Sequence, residues 1–193
     1  MLQQTLKEAT KNKHAALEEL MFVKEIMNGT LSVYQYTQII STLYLVYQQF
    51  ENKLHSLIDA ENTYTLRLEK RKKTSLLKND LLEVNAVPGF IVDTYPINFE
   101  QEAAALGALY VLEGATLGGN IIVKHLKTNP QFISLDLHFH YYQAYGDKVF
   151  VFWKKFCETL NKQPLHLYSQ IIDGAVLMFE YLIFIQKKMM HNS

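Results

Sequence analysis

Residues 32–57 have the sequence SVYQYTQIISTLYLVYQQFENKLHSL, and this stretch decides the fold class. Ser32 and Gln35 form a capping box, in which each side chain satisfies a backbone amide of the first helical turn. Apolar and aromatic side chains then recur at the spacing of an α-helix, namely Tyr36, Ile39, Ile40, Leu43, Tyr47, Phe50, Leu54 and Leu57. We therefore predict a long amphipathic helix that begins at Ser32 and ends near Leu57.

The scarcity of glycine and proline extends this expectation to the whole chain. Eight Gly and four Pro make up about 6% of the 193 residues, whereas average usage is about 12%. Sandwiches, barrels and Rossmann folds need many turns that are rich in these residues. No repeat, low-complexity tract or linker divides the chain, and its length suits one hydrophobic core. The sequence therefore predicts a single all-α domain over residues 1–193, a bundle of six or seven helices.

Local end signals place the remaining helices. A capping box at Thr5 and Glu8 predicts the start of the first helix, and Asn28-Gly29 predicts its end. The further predicted helices are a weaker one within Arg67–Asn85, one from Phe99 to about Thr128 with Asn98 as N-cap, one capped by Asp147 that runs through Leu160, and one from Pro164 to about Lys188. Pro88-Gly89 and Pro96 predict a loop. Residues 135–141 alternate as a strand does, but we predict a loop because no partner strand is evident.

The composition excludes several functional classes. Nineteen Lys and Arg balance nineteen Asp and Glu, so a general nucleic-acid binder is not expected. The single cysteine, Cys157, excludes an internal disulfide and suits a reducing compartment. The N-terminus lacks the apolar core of a signal peptide, and the most apolar run, Ile171–Ile185, is too short to span a bilayer. We therefore expect a soluble cytoplasmic protein that binds neither nucleic acid nor membrane.

Half of the glycines interrupt one predicted helix. Four of the eight glycines lie within thirteen residues of this helix, at Gly107, Gly114, Gly118 and Gly119. Each destabilises a helix interior by about 1 kcal/mol relative to alanine. One interpretation is packing, because small residues let two helices cross closely or let one helix kink. The other is functional, because a helix backbone without Cβ atoms can lie against a flat ligand.

His14 is the second unusual residue. It lies on the apolar stripe of the first helix between Thr10 and Leu17, so we expect it to face the interior. A lone histidine in that position is commonly a satisfied core residue. Glu18, however, lies one turn further along the same face. A carboxylate placed there orients an imidazole that binds a metal through its other nitrogen, so both interpretations stay open.

The other candidates carry weaker signals. His138-x-His140 offers two metal ligands, but no third ligand is evident, so a polar loop face is favoured. The run Glu69–Lys73 predicts a solvated helix face, or else a surface that docks an acidic partner. Cys157 and residues 150–153 (FVFW) are expected in the core. The chain has no Glu-x-x-His motif, no P-loop, no Gly-x-Ser-x-Gly and no Cys-x-x-Cys.

Two segments together resemble a known family. The run from Leu6 to His14 (LKEATKNKH), followed by Glu18, resembles the proximal helix of haem (heme) oxygenases. The run from Tyr110 to Gly119 (YVLEGATLGG) resembles the distal helix of that family, especially of its bacterial branch often associated with phytochromes. Tyr145-Gly146 and Trp153 are similar to the same branch. The resemblance spans most of the chain and implies a haem-oxygenase-like multi-helical bundle.

The resemblance also implies an activity and a site. Haem is then substrate and cofactor, and it is cleaved to biliverdin, CO and ferrous iron with O2 and electrons from a ferredoxin, flavodoxin or reductase. A bilin-accepting phytochrome is the implied further partner. His14 is the implied axial ligand of the haem iron, Glu18 its orienting group, and Gly114, Gly118 and Gly119 the catalytic distal segment. The implied haem-binding positions are completed by Lys7, Ala115, Tyr145, Lys148 and Lys155.

One position departs from the family pattern. Many members carry an acidic residue after the first distal glycine, where it orders proton-delivering waters, but this chain has Ala115. A proton path would therefore use other groups, with Thr116 and backbone carbonyls as candidate water anchors. Ala115 favours a non-catalytic haem carrier or sensor as an alternative function. A thiaminase-like enzyme of the same superfold is a second alternative, which would require neither His14 nor the distal glycines.

Overall fold

The computed structural model describes residues 1–87, 95 and 97–191. Within these residues the chain forms nine α-helices and no strand, so the all-α prediction is confirmed and the number of helices is higher than predicted. The helices are α1 Leu2–Leu20, α2 Val23–Asn28, α3 Val33–Leu57, α4 Ala60–Leu66, α5 Thr74–Glu83, α6 Glu102–Gly114, α7 Gly119–Thr128, α8 Val149–Asn161 and α9 Tyr168–His191. Short 3-10 turns cover Leu68–Arg71, Gly146–Lys148 and Leu165–Leu167.

The long helix α3 forms as its sequence predicts. Ser32 Oγ accepts a hydrogen bond from the Gln35 amide at 3.1 Å, and Gln35 Oε1 accepts one from the Ser32 amide at 2.9 Å. This reciprocal capping box satisfies two amides that would otherwise lack a partner. The predicted apolar face of α3 is buried in the core apart from its last residue, Leu57, which is partly buried.

The predicted first helix divides into α1 and α2. Phe22 adopts a left-handed conformation (φ 54°), which interrupts the helical hydrogen bonds and turns the chain. Helix α1 begins at Leu2 rather than at the predicted Thr5 capping box. Gly29 closes α2 with a left-handed C-cap (φ 67°), as its position after Asn28 predicts.

Helix α9 packs against α6, α1 and α3. It meets α6 backbone to backbone. A Cβ atom on Gly107 would lie 1.9 Å from the Ile171 carbonyl oxygen, and one on Gly174 would lie 2.2 Å from the Ala104 carbonyl oxygen. The packing interpretation is therefore correct for Gly107, because no side chain fits at this crossing.

Among the described residues, two segments are long and apolar enough to cross a membrane by length and composition alone. They are residues Glu102–Thr128 and Leu165–His191, each with a mean hydropathy of 1.4 over its most apolar window. The apolar run Ile171–Ile185 lies inside the second of these segments, which is longer than that run. These windows are 56% and 44% buried inside the fold, and a core helix of a soluble protein passes the same test.

Several predicted local features differ from the structure. Asn98 does not cap α6, because its side chain bonds to Lys53 and to Glu100 instead, and the helix begins at Glu102. Asp147 lies in a 3-10 turn, and α8 starts at Val149. Phe150 and Val151, which were expected in the core, are exposed. Residues 135–139 are irregular as predicted, and the predicted loop at Pro88-Gly89 and Pro96 lies outside the described residues.

Candidate functional site

His14 faces solvent on α1, contrary to the expectation that it lies inside. Its side chain is 61% exposed, and its Nδ1 atom lies 3.4 Å from Glu18 Oε2 one turn further along. The edge of its ring contacts Phe179 of α9, with ring centroids 6.0 Å apart. The adjacent Lys13 donates a hydrogen bond to Glu180 of α9 at 2.6 Å. These contacts fix the position of His14 relative to α9 while leaving the ring accessible.

The predicted distal helix breaks between Gly114 and Gly119. The amides of Thr116, Leu117 and Gly119 bond to carbonyls three residues earlier, which tightens the chain into successive turns and ends α6. Because the Thr116 amide bonds to the Glu113 carbonyl, the Leu112 carbonyl loses its usual partner in the next turn. The Tyr47 hydroxyl of α3 donates to that carbonyl at 2.9 Å. The break is therefore a stabilised feature of the fold.

The three glycines of this break differ in whether the packing of the fold excludes a side chain at their position. A Cβ atom on Gly119 would lie 2.2 Å from the Tyr142 carbonyl oxygen, so packing alone requires glycine there. A Cβ atom on Gly114 would meet only the Trp153 ring at 3.6 Å, and one on Gly118 only the Ile122 side chain at 3.6 Å. Those distances are ordinary van der Waals contacts. The packing of this chain therefore gives no reason for glycine at positions 114 and 118.

A buried ionic network lies directly beside the break. Glu113, the residue before Gly114, is 4% exposed and accepts hydrogen bonds from Arg71 and from Lys73 Nζ, the latter at 2.6 Å. The Tyr145 hydroxyl donates to Glu113 Oε2 at 2.7 Å and accepts from Lys73 Nζ at 2.8 Å. One carboxylate is thus held by two buried cations and a phenol. The end of α6 is thereby fixed to the 3-10 turn before α5 and to the segment before α8.

The network shifts the acidity of its members. Burial alone would raise the pKa of Glu113, but the positive charges of Lys73 and Arg71 outweigh it and hold that pKa below its ordinary value. Burial lowers the pKa of Lys73, an effect that Glu113 opposes. Burial and the Glu113 charge both raise the pKa of Tyr145. The phenol therefore stays protonated and remains a hydrogen-bond donor to the carboxylate.

The comparisons with known proteins identify the family. Residues 1–187 match the family described as Heme oxygenase. The chain belongs to the heme oxygenase family. A protein of Xanthomonas campestris pv. campestris (strain 8004) named Heme oxygenase is 32% identical over 114 residues, which are 58% of this chain. The matched part spans 65% of that relative's own length.

Two solved structures share the fold of this heme oxygenase family member. One is the NO- and CO-bound heme oxygenase of Neisseria meningitidis, with a TM-score of 0.74, 20% identity, and coverage of 99% of this chain and 92% of that chain. The other is heme oxygenase-1 of the cyanobacterium Synechocystis sp. PCC6803 in complex with heme, with a TM-score of 0.75, 19% identity, and coverage of 99% and 93%. These likenesses confirm the predicted haem-oxygenase-like bundle.

In this family member, the remaining predicted haem-binding residues occupy several separate places. Lys7 is exposed on α1, Ala115 is exposed in the break, and Lys148 is exposed at the start of α8. Lys155 lines a surface depression of about 450 Å³ together with residues of α4 and the 3-10 turn that follows it. Tyr145 belongs to the Glu113 network, which already uses its hydroxyl. The structure brings His14 close to Glu18, and Tyr145 close to the distal segment. Among the described residues, no hydrogen bond links Lys148 or Lys155 to His14.

The buried network of this family member was not predicted from the sequence. Arg71 and Lys73 were expected on a solvated face, yet both side chains are only 1% exposed. Glu69, Lys70 and Lys72 fit that expectation, since all three are exposed, and Lys72 pairs with Glu69 at 3.0 Å. A usable signal was present, since Glu113 is an acidic residue within an otherwise apolar stretch of α6. A buried carboxylate needs cationic or hydrogen-bonding partners, so its presence implied a buried cation elsewhere.

Proposed function

We propose that this protein cleaves haem to biliverdin, CO and ferrous iron, using O2 and electrons from an external ferredoxin, flavodoxin or reductase. It would act in the cytoplasm, and a bilin-accepting phytochrome is the proposed recipient of its product. The observation that carries the proposal is the accessible His14 imidazole, oriented by Glu18 on α1 of a chain that matches the family over residues 1–187.

The proximal residues are suited to hold a haem iron. Nδ1 of His14 faces the Glu18 carboxylate, and no hydrogen bond among the described residues reaches its Nε2 atom. The imidazole therefore has one oriented nitrogen and one nitrogen free to bind a metal. The exposed ammonium of Lys7, two turns earlier on α1, would pair with a haem propionate. When bound, haem supplies the iron that activates O2 and the macrocycle that is oxidised.

The distal residues would position and shield the ligand. Gly114 and Gly118 carry no side chain although the fold has room for one, which favours a flat ligand as the reason for glycine. The Glu113 network and the Tyr47 hydrogen bond hold the backbone of this segment in place. A rigid backbone at this position would keep a ligand at a fixed distance, which supports positional selectivity.

For proton supply, this chain lacks the acidic side chain that many family members carry after the first distal glycine. Ala115 offers only a methyl group, and the Thr116 hydroxyl donates to the Glu113 carbonyl at 2.7 Å. Thr116 Oγ1 would accept a hydrogen bond from a water while still donating to that carbonyl. We propose that it and the backbone carbonyls of the break anchor the proton-delivering waters. The absence of an acidic side chain at Ala115 favours the second candidate function, a haem carrier or sensor.

A haem titration tests the ligand. Haemin added to the wild-type protein should give the absorption and electron paramagnetic resonance spectra of a histidine-ligated ferric haem. His14→Ala should abolish that spectrum, whereas His166→Ala, which changes an exposed histidine in a 3-10 turn, should leave it unchanged. An unaltered spectrum in His14→Ala would place the iron ligand elsewhere.

A turnover assay separates the enzyme from the carrier. Haemin, O2 and either ascorbate or a ferredoxin with its reductase are added, and the haem absorption is followed while bilin is identified by chromatography and CO by its binding to myoglobin. The enzyme should replace the haem band with bilin bands. Tight haem binding without bilin or CO under each donor would favour the carrier.

The distal segment is tested by side-chain size at Gly118. Gly118→Leu should block haem binding or turnover, because its branched side chain would project beyond the single contact with Ile122. Gly118→Ala adds only a Cβ atom, which the fold accepts, so loss of haem binding in that variant would come from contact with the ligand rather than from misfolding. Normal turnover by Gly118→Leu would show that this helix does not face the ring.

A further inference from the structure

A second group of metal-ligating side chains lies at the C-terminal end of α5. Glu83 is the last residue of that helix, and His138 and His140 lie in the irregular segment before α8. Glu83 Oε1 lies 2.7 Å from His138 Nδ1 and 3.0 Å from His140 Nε2. One ligand atom of each residue lies within 4.8 Å of the other two. The fold thus supplies the third ligand that the sequence alone did not provide.

We propose that Glu83, His138 and His140 form a binding site for a borderline divalent transition-metal ion such as Zn²⁺. Imidazole nitrogen and carboxylate oxygen are the ligands that zinc and its neighbours accept, whereas calcium and magnesium prefer oxygen alone. Zinc binds these atoms at about 2.0–2.2 Å, so neighbouring ligand atoms of a tetrahedral site lie roughly 3.3 Å apart. The observed separations of 2.7 and 3.0 Å are close to that spacing and require only a small opening of the cluster.

The backbone that carries the ligands is already held in position. Glu83 Oε2 accepts a hydrogen bond from the His138 amide at 2.9 Å. Asp80, one turn earlier on α5, accepts from the amides of His140 and Tyr141 at 2.6 and 2.9 Å. The side chains of both histidines therefore need no rearrangement of the backbone to bind an ion, which reduces the entropic penalty of binding.

The residue between the two histidines fixes the relative placement of their rings. Phe139 adopts a left-handed conformation (φ 54°), which is uncommon for a bulky residue, and its side chain is buried in the core. It packs edge-on against Tyr36 at a centroid distance of 5.7 Å. The rings of His138 and His140 lie stacked, with centroids 5.4 Å apart and planes 20° from parallel. Both rings therefore turn toward Glu83.

The cluster is accessible and shares no residue with the proposed haem site. The His138 side chain is 61% exposed, so an ion can enter and water can complete its coordination. The segment that carries the histidines continues to Tyr142, whose carbonyl touches Gly119, and to Tyr145, which bonds to Glu113. A bound metal would therefore tie α5 to the segment that supports the distal break, as a structural clamp.

The test uses Zn²⁺ alone and the full metal-free chain, without haem. Zinc is titrated at pH 7.5 in competition with a chromophoric chelator, and the zinc-loaded protein is then examined by X-ray absorption. We expect one equivalent of zinc with two imidazole ligands. Glu83→Gln and His138→Ala should each weaken binding at least about tenfold, because even removal of an outer partner of a metal ligand has an effect of that size. Circular dichroism verifies that each variant is folded, and the exposed His138 makes its variant the safer of the two.

Two control variants separate this site from other histidines. His166→Ala should bind zinc as the wild type does, and so should His14→Ala, which removes the proposed haem ligand. Unchanged zinc affinity in both Glu83→Gln and His138→Ala would overturn the proposal. Failure of the wild type to take up one equivalent of zinc would overturn it too. Loss of the zinc site in His14→Ala would assign the binding to the His14–Glu18 pair and would equally overturn it.

Discussion

The substitution Glu113→Gln tests whether the buried network stabilises the fold through charge. Gln keeps the shape of the side chain but removes the negative charge that faces Arg71 and Lys73, each 1% exposed. It also replaces an acceptor oxygen by an amide that can only donate, so a cation loses its acceptor. Removing one partner of a buried ion pair destabilises a protein by about 3–5 kcal/mol.

Nearby charge offsets only part of this loss. The Glu51 carboxylate accepts a hydrogen bond from the backbone amide of Lys73 and from the Thr74 hydroxyl. It does not contact the guanidinium of Arg71, so the expected loss stays within about 3–5 kcal/mol. For a chain of this length each kcal/mol lowers Tm by about 2–4 °C, which gives a decrease of roughly 6–20 °C.

The assay is urea unfolding followed by circular dichroism, with the free energy of unfolding extrapolated to water. Glu69→Gln is the matched control, because Glu69 is 81% exposed in its ion pair with Lys72 and its loss should change stability by at most about 1 kcal/mol. A decrease for Glu113→Gln no larger than that of Glu69→Gln would refute the reasoning. A double variant with Lys73→Met should recover part of the loss, because one unpaired buried cation is then removed.

Three further predictions concern the charge of Glu113, the packing of two glycines and the burial of Cys157. Because the pKa of Glu113 is lower in the folded protein, the stabilisation by this carboxylate is fully present above the ordinary pKa of 4.5 and is lost as pH falls through the folded pKa. The difference in unfolding free energy between wild type and Glu113→Gln should therefore shrink below about pH 4.5. A difference that stays constant with pH would contradict this. Gly107→Ala should lower the free energy of unfolding, measured by calorimetry, by at least about 1–3 kcal/mol, because the added Cβ atom would lie 1.9 Å from the Ile171 carbonyl oxygen. Gly118→Ala is the control and should change it by less than about 1 kcal/mol. Equal effects of the two substitutions would contradict the assigned packing. Burial, with the Glu158 charge, raises the pKa of Cys157 to about 11, so iodoacetamide at pH 8 should alkylate this thiol far more slowly in the folded protein than in urea; equal rates would show that it is exposed.

The sequence was most informative where the determining contacts are local. The capping box of Ser32 and Gln35 and the glycine that closes α2 lie next to the residues they organise, so both helix ends were predicted correctly. The left-handed residue Phe22 could not be predicted, because nothing in its chemistry favours that conformation and tertiary packing imposes it.

Charged residues were the hardest to place. Arg71 and Lys73 belong to a strongly basic run, and composition favours solvent for such a run. Their burial depends on Glu113, which is 42 residues from Arg71 and 40 from Lys73, so no local pattern connects them. Glu83, the third candidate ligand beside His138 and His140, is also far from them along the chain, so only the fold brings the three residues together. His14 was identified by its type and spacing, but its exposure depends on how α1 lies against α9.

The separation of the network residues along the chain also bears on how fast the protein unfolds. Arg71, Lys73, Glu113 and Tyr145 come together only after loops of 32 to 42 residues have closed, and desolvation of the charges is favourable only once all partners are in place. Such contacts form late in folding, so they stabilise the native state more than the transition state. We expect Glu113 variants to fold at nearly the wild-type rate and to unfold faster. The network then acts mainly on the lifetime of the folded molecule.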